Sequence, residues 1–328
     1  MKKKILVTGR LPDEIMTDLR RQFDVIDNKT DEPMERSSIL HAIEDCDGLL
    51  CMLSDTIDEK LMERAPRLKV IAGMGVGFNH IELKAATSRG IMVSNTPGAN
   101  TDAAADMAFG LMLSAARRIV EADHRTRAGE FKYWAPLLFL GRMVSGKTLG
   151  LVGMGKIGQA MVQRAKGFSM RVIYFDPRRQ EPGLERDMGI EYADLRTLLM
   201  TADFVSLHVP LMPDTKHLIG RAEFALMKKS AYLINASRGP IVDEKALVEA
   251  LRNGLIAGAG IDVYENEPDL APGLSDLRNA VLTPHIGSAT IESRTAMAAQ
   301  AALNLKEGLG GQLLPNIVNP EAAMNRRS

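Results

Sequence analysis

The chain has 328 residues, with 41 basic and 41 acidic side chains and a formal net charge of zero. This length favours two domains, and the balanced charge argues against recruitment by nucleic acid or by an anionic membrane. At the N-terminus only Ile5, Leu6 and Val7 precede the next polar residues, too few for a signal-peptide core or a transmembrane span. We therefore expect a cytoplasmic enzyme that acts on a small molecule.

Short apolar runs rich in strand-forming residues recur along the chain, with helix-like stretches between them. They are ILV at 5, GLLCML at 48, KVIAGM at 69, IMVSN at 91, TLGLVGMG at 148, RVIYFD at 171, FVSLHVP at 204, AYLINAS at 231, GAGIDVY at 258 and AVLTPHIG at 280. Strands that alternate with helices predict parallel sheets built from βαβ units.

The only two cysteines, Cys46 and Cys51, lack the spacing of a zinc site, so we predict buried free thiols and no metal ion.

The strand-like runs fall into two sets, separated by NTPGANTDAAADMAFGLMLSAARRIV. Asn100 or Thr101 in this segment is suited to cap a helix that leads away from the first set. After the last run, ATIESRTAMAAQAALNLKEGLGG predicts a helix that returns to the first domain. The first domain is then discontinuous, with residues 1–97 and 290–328, around a central domain of residues 98–289.

The central domain contains a dinucleotide-binding signature. Gly153, Gly155 and Gly158 have the spacing G-x-G-x-x-G directly after a strand and before a helix, where glycines let a pyrophosphate approach the helix N-terminus. The next strand ends in Asp176, where a carboxylate binds the adenosine ribose hydroxyls. The alternative is a tight strand-to-helix turn with a surface aspartate.

The same aspartate bears on the choice of cofactor. A carboxylate at Asp176 would repel the 2′-phosphate of NADP, which favours NAD. Arg178 and Arg179 come soon after it and are suited to bind a phosphate, which leaves NADP use open. With Asp176 present, a solvated loop is the favoured interpretation of these two arginines.

Ionisable residues come after three later strands. Arg238 lies in NASRGPIVDE, the acids Asp262, Glu265 and Glu267 lie in GIDVYENEP, and His285 lies in LTPHIGSAT. The carboxyl edge of a parallel sheet is where open α/β folds bind ligands. An arginine fork for a carboxylate and a histidine with an acid beside it together indicate chemistry on a small carboxylic acid.

Each residue also has a simpler interpretation by itself. Arg238 would pair with Asp243 or Glu244 at the start of the next helix, and two of the three acids would be solvated. His285 would be a packed core histidine. Trp134, the only tryptophan, would pack in the core.

The order of these motifs resembles the D-isomer-specific 2-hydroxyacid dehydrogenases over nearly the whole chain, with the glyoxylate/hydroxypyruvate reductase branch the most similar, partly through YWAPLLFLG. The matching segments are GVGFNHIE, VSNTPGANTDAAADMA, the glycine signature, HVPLMPDTKHLIG, INASRGPIVDEKAL, GAGIDVYENEP and LTPHIGSAT. The resemblance implies a Rossmann-type dinucleotide-binding domain inserted in a flavodoxin-like substrate domain, and a homodimer. It also implies NAD(P)H-dependent reduction of a small 2-oxo acid, glyoxylate or hydroxypyruvate, to the D-2-hydroxy acid.

The resemblance also implies roles for individual residues. Arg238 would bind the substrate together with the backbone N–H groups of Val76 and Gly77, His285 would be the general acid and base, and Glu267 would orient it. Trp134 would line the substrate site across the dimer interface. The implied cofactor contacts are Gly153, Gly155, Lys156, Ile157, Gly158, Asp176, His208, Val209, Pro210, Thr215, Ala236, Ser237, Asp262 and Gly287.

Other functions of similar sequences stay open at this point. Phosphite oxidation is disfavoured because Val76 stands where those relatives carry a lysine, and phosphoglycerate oxidation because little sequence remains after His285 to form a regulatory domain. A protein that senses a dinucleotide without turnover would keep much of the same site. Reduction of a 2-oxo acid separates these functions.

Overall fold

The computed structural model describes residues 2–325. Its strands are β1 (Lys4–Val7), β2 (Asp24–Asp27), β3 (Gly48–Cys51), β4 (Val70–Gly73), β5 (Met92–Ser94), β6 (Thr148–Val152), β7 (Arg171–Phe175), β8 (Ile190–Tyr192), β9 (Phe204–Leu207), β10 (Tyr232–Asn235), β11 (Gly258–Ile261) and β12 (Ala280–Leu282). Its helices are α1 (Asp13–Gln22), α2 (Arg36–Ala42), α3 (Glu59–Glu63), α4 (Leu83–Ser88), α5 (Thr101–Arg117), α6 (Ile119–Arg127), α7 (Lys156–Gly167), α8 (Pro182–Met188), α9 (Leu195–Thr201), α10 (Arg221–Leu226), α11 (Glu244–Arg252) and α12 (Ile291–Leu309). Short 3₁₀ helices lie at Pro213–Thr215, Gly239–Ile241 and Pro320–Asn325.

The chain forms two compact units. One contains the described residues up to Asn100 and from Thr290 onward, and the other contains Thr101–Ala289. The first boundary falls where α5 begins, and the second falls at Thr290, whose side chain caps α12 by accepting a hydrogen bond from the Ser293 N–H.

The first unit is built on a five-stranded parallel sheet in the order β2-β1-β3-β4-β5, the flavodoxin-like order. Alternate residues of a strand point to opposite faces, so Ile5 and Val7 pack on the side of α1 and α12, while Leu6 packs on the other. Both faces are covered, which explains why the central strands are apolar throughout.

The second unit contains a seven-stranded parallel sheet in the order β12-β11-β10-β9-β6-β7-β8. This is the Rossmann order, extended by one strand. The strand order reverses between β6 and β9, and the crevice beyond the carboxyl ends of those strands is where such sheets bind ligands. The predicted fold class of two doubly wound parallel-sheet domains is confirmed.

The sequence patterns missed two strands, β2 (DVID) and β8 (IEY). Each lies at an edge of its sheet and is partly exposed, so neither needs the continuous apolar run that marks a buried strand. Cys46 and Cys51 are free and buried, as predicted. Within residues 2–325, no helix has both the length and the apolar character needed to cross a bilayer.

Candidate active site

The glycine-rich loop connects β6 to α7 at the point where the strand order reverses. Gly153 has φ = 98°, and a Cβ there would lie 2.7 Å from the backbone carbonyl of His208. A Cβ on Gly158 would collide with the Gly153 carbonyl oxygen, whereas a Cβ on Gly155 would meet no atom within 4 Å. The outer glycines are therefore required by close packing, and the middle one leaves open space at the helix N-terminus.

That open space fits a dinucleotide pyrophosphate. Gly155 is the N-cap of α7 and Lys156 and Ile157 begin its first turn, whose N–H groups have no intrahelical partners and attract anions. Asp176 comes directly after β7 and faces the same loop: it accepts hydrogen bonds from the N–H groups of Met154 (2.9 Å) and Arg178 (3.0 Å). These bonds orient its carboxylate beside the loop, as a ribose-binding acid requires.

The other predicted cofactor contacts lie after β9 and β10 at the same edge of the sheet. The Thr215 hydroxyl donates to the Pro210 carbonyl (2.6 Å), and the Ser237 hydroxyl donates to Asn235 Oδ1 (2.8 Å). These bonds stabilise the loops that carry His208, Val209, Pro210, Ala236 and Ser237. Their contacts with a cofactor remain predictions.

His208 follows β9, and its backbone packs against Gly153 of the glycine loop. Its Nε2 lies 2.9 Å from Ser206 Oγ, and burial lowers the pKa of His208 to about 4. A histidine that is neutral at physiological pH is a poor proton donor, which argues against His208 as the general acid.

His285 and Glu267 form a hydrogen-bonded pair. The distance between His285 Nδ1 and Glu267 Oε2 is 2.8 Å, and the side chains are 32% and 37% exposed. Glu267 is also held through Oε1 by the Tyr264 N–H (3.0 Å). Burial alone would raise the pKa of Glu267, but the hydrogen bond with His285, the Tyr264 N–H and the charges of His285 and Arg238 together lower it. The ionised form of Glu267 is therefore stabilised in this site.

The backbone of His285 lies in the left-handed region, with φ = 54°, a conformation that persists only where the surroundings impose it. Asp262, which comes directly after β11 and is fully buried, imposes it here. The Asp262 carboxylate accepts hydrogen bonds from the Thr283 hydroxyl (2.6 Å) and from the N–H groups of Ile286 (2.9 Å) and Gly287 (2.7 Å). Its carbonyl accepts the His285 N–H (2.8 Å).

Arg238 lies after β10, the strand next to β11, which ends just before Asp262. Its guanidinium donates to the Ser237 carbonyl (2.6 Å). Burial lowers the pKa of Arg238, and the negative charge of Glu267 opposes that effect. An arginine remains charged under such a shift. Arg238 therefore interacts electrostatically with Glu267, the residue that also pairs with His285. The pair of His285 and Glu267 also lines a pocket of about 370 Å³.

Several residues with a simpler interpretation have specific partners in the structure. Asp243 caps α11 by accepting the Ala246 N–H, and Glu244 accepts N–H groups from the segment around Glu267. None of the three acids is merely solvated, because Asp262 is buried and Glu265 pairs with His217 Nε2 at 2.7 Å.

Sequence reasoning missed the role of Glu244. This buried side chain accepts hydrogen bonds from the N–H groups of Glu265 (3.0 Å) and Ala271 (3.1 Å), on either side of Glu267. Gly239 packs so closely that a Cβ would collide with the Tyr264 carbonyl. The segment after β10 thus supports the loop that carries Glu267. In the sequence, the signal for this role of Glu244 was an acid at the start of a helix.

Val76 and Gly77 lie after β4 in the first unit. The Val76 carbonyl accepts a hydrogen bond from Asn95 Nδ2 (2.7 Å), and the Thr96 N–H donates to the Gly75 carbonyl (2.8 Å). The loop is therefore held by the segment after β5, and its role in binding substrate remains a prediction.

Trp134 lies in the second unit with 80% of its surface exposed, so the interpretation of Trp134 as a core residue is wrong.

Comparisons with known proteins agree with this geometry. Residues 109–287 match the model of the D-isomer specific 2-hydroxyacid dehydrogenase NAD binding domain. The chain is 47% identical over 325 residues to the glyoxylate reductase of Thermococcus litoralis, covering 98% of both chains. It superposes on a glyoxylate reductase from Paecilomyes thermophila with a TM-score of 0.85 and 33% identity, over 98% of this chain and 99% of that one. An NADPH-dependent glyoxylate/hydroxypyruvate reductase from Sinorhizobium meliloti, solved with NADP and malonate, superposes with a TM-score of 0.84 and 29% identity, over 100% and 99% of the two chains.

Proposed function

The chain belongs to the D-isomer-specific 2-hydroxyacid dehydrogenase family, and we propose that it reduces glyoxylate or hydroxypyruvate to the D-2-hydroxy acid with NAD(P)H. The observation that carries the proposal is the pair of His285 and Glu267, 2.8 Å apart. Arg238 follows β10, which lies next to β11, the strand that precedes Glu267. The substrate class is supported by two similar proteins, the glyoxylate reductase of Thermococcus litoralis and the glyoxylate/hydroxypyruvate reductase of Sinorhizobium meliloti.

The three side chains divide the chemistry between them. When bound, the reduced nicotinamide supplies a hydride to C2 of the 2-oxo acid. Arg238 binds the substrate carboxylate through two parallel hydrogen bonds and so orients the carbonyl group. His285 donates a proton to the carbonyl oxygen as negative charge develops there. With Nδ1 bound to Glu267, the ring presents Nε2 as the donor.

A panel of 2-oxo acids tests this proposal. NADH and NADPH oxidation would be measured with glyoxylate, hydroxypyruvate, pyruvate and phenylpyruvate, and we expect the highest kcat/KM with the first two. Binding of the dinucleotide without turnover of any 2-oxo acid would indicate a sensing protein instead. Oxidation of phosphite or phosphoglycerate without 2-oxo acid reduction would also contradict the proposal.

We expect NADH to be used better than NADPH, because the Asp176 carboxylate would repel a 2′-phosphate. Asp176→Ala should narrow the difference in kcat/KM between the two cofactors, mainly through weaker use of NADH. Steady-state kinetics of both cofactors at a saturating 2-oxo acid concentration provide the measurement. A native chain that prefers NADPH would contradict this assignment of Asp176.

We also propose a two-fold homodimer formed through the second unit. The segment between α6 and β6 exposes large apolar side chains, with Trp134 and Leu137 each 80% exposed and Phe131 63% exposed. Several large apolar side chains exposed within one short segment are typical of an interface. Light scattering should return a dimer mass at micromolar concentration, and Leu137→Glu should shift it toward the monomer. A monomeric native chain would refute this proposal.

A cytoplasmic location is consistent with the two thiols. Both are buried and free, and burial raises the pKa of Cys46 to about 12. Buried thiols that stay protonated react slowly, and a chain without disulfides is typical of a reducing compartment.

A further inference from the structure

Arg179 lies three residues after Asp176 but points its guanidinium to a partner of its own. Its Nε donates to Glu185 Oε1 and its Nη2 donates to Glu185 Oε2, both at 2.9 Å. This is the bidentate geometry of a strong arginine–carboxylate pair. The guanidinium also lies 5.3 Å from the centre of the Tyr192 ring, within range of a cation–π contact.

The carboxylate that holds Arg179 is itself fixed. Glu185 lies in α8 with its side chain 11% exposed, and it accepts a hydrogen bond from the Tyr174 hydroxyl at 2.6 Å. The Tyr174 hydroxyl in turn accepts the Gln180 N–H (2.9 Å). The hydrogen bonds from Arg179 and Tyr174 lower the pKa of Glu185 to about 2, so the pair persists through the physiological pH range.

Arg179 occupies a position that bears on cofactor choice in dinucleotide folds, shortly after the second strand of the nucleotide-binding segment. An arginine near the ribose-binding acid is the group that accommodates the 2′-phosphate of NADP. Three residues span at most about 11 Å, so the Arg179 backbone lies within that distance of Asp176. This role of Arg179 rests on the adenosine site proposed at Asp176.

We propose that Glu185 is a specificity-determining residue that holds Arg179 away from the 2′-phosphate of NADP(H). Discrimination against NADP(H) then has two sources, the repulsion of the 2′-phosphate by Asp176 and the engagement of Arg179 by Glu185. Freeing Arg179 should strengthen binding of a 2′-phosphate without altering the site for the rest of the nucleotide.

Calorimetric titration of the full-length chain with two nucleotides tests the proposal. Adenosine 5′-monophosphate probes the adenosine site, and adenosine 2′,5′-bisphosphate adds only the 2′-phosphate. In Glu185→Gln the ratio of the two dissociation constants should shift by about tenfold toward the bisphosphate, as expected for one new charge-assisted contact. The ratio of kcat/KM for NADPH over NADH should rise in parallel.

Three further variants separate release of Arg179 from a general change in charge. Glu181→Gln removes the same charge from an exposed neighbour and should leave the ratio near the native value. When Glu185→Gln is combined with Arg179→Ala, the ratio of the two dissociation constants should return to near the native value. Arg179→Ala by itself should leave the ratio unchanged, and this measurement does not depend on how well a Glu185 variant folds.

The outcomes distinguish this inference from the proposed function. If both nucleotides bind the native chain but Glu185→Gln does not shift the ratio, the role of Glu185 is overturned and the adenosine site stands. A loss of bisphosphate binding in Arg179→Ala would overturn it as well, because Arg179 would already serve the phosphate. If neither nucleotide binds, the adenosine site at Asp176 fails and the role of Glu185 with it.

Discussion

His285→Ala should lower kcat for 2-oxo acid reduction by about 10²-fold or more, the usual contribution of a general acid. The developing alkoxide would lose its proton donor, and His208 cannot replace it because burial lowers its pKa to about 4. The affinity for NADH, measured by calorimetry or fluorescence, should change little, since the glycine loop and Asp176 are untouched.

A matched control is His217→Ala. His217 is also paired with a glutamate, Glu265, at 2.7 Å, but the proposed chemistry does not use it, so most of the activity should remain. Native turnover in His285→Ala would leave that histidine with a structural role only.

Glu267→Gln separates orientation of the histidine from its charge. Glutamine keeps an acceptor for the Nδ1–H but lacks the negative charge that opposes loss of a proton from a neighbouring group. Because Glu267 has a lowered pKa in the native chain, its charge is present throughout the working pH range. The fall in reduction rate on the alkaline side should therefore begin at a lower pH in Glu267→Gln. An unchanged pH profile would contradict the functional pairing.

Arg238→Lys should lower kcat/KM by about 10²-fold, through both weaker substrate binding and slower turnover. A lysine retains the positive charge but is a point donor that cannot form two parallel bonds to a carboxylate, and losing a charge-assisted bond of this kind has an effect of that size. Substrate and cofactor titrations would show a weaker affinity for the 2-oxo acid and an unchanged affinity for NADH.

The control for this substitution is Arg221→Lys. Arg221 is 78% exposed and pairs with Glu249 at the surface, so the same chemical change there should leave kcat/KM near the native value. If Arg238→Lys also kept the native kcat/KM, the carboxylate would have to be bound elsewhere, and the proposed division of roles would be wrong.

Several features of the site depend on local sequence. The glycine spacing and Asp176 lie in one β-turn-α-β segment, so their proximity depends on short-range geometry alone. The apolar runs predicted the buried strands, because strands covered on both faces must be apolar. The polar edge strands β2 and β8 carry no such requirement, and hence no pattern revealed them.

The pairing of side chains was decided by tertiary structure. Arg238, Glu267 and His285 were identifiable as strand-end residues, but only the order of β10, β11 and β12 brings their segments side by side. The selection of Glu267 rather than Asp262 as the partner of His285 depends on the 2.8 Å contact and on the burial of Asp262. The exposure of Trp134 likewise became visible only in the folded chain.

Arg179 and Glu244 illustrate the same division most clearly. In the sequence, Arg179 is suited to bind a phosphate and Glu244 to pair with Arg238. The fold instead places α8 so that Glu185 holds Arg179 and directs Glu244 to the backbone around Glu267. The sequence by itself determined the fold class, the dinucleotide loop and the residues at the strand ends, since these depend on backbone spacing and apolar periodicity. Which partner each charged side chain binds was decided by the tertiary structure, because a long side chain reaches several neighbours and packing selects one.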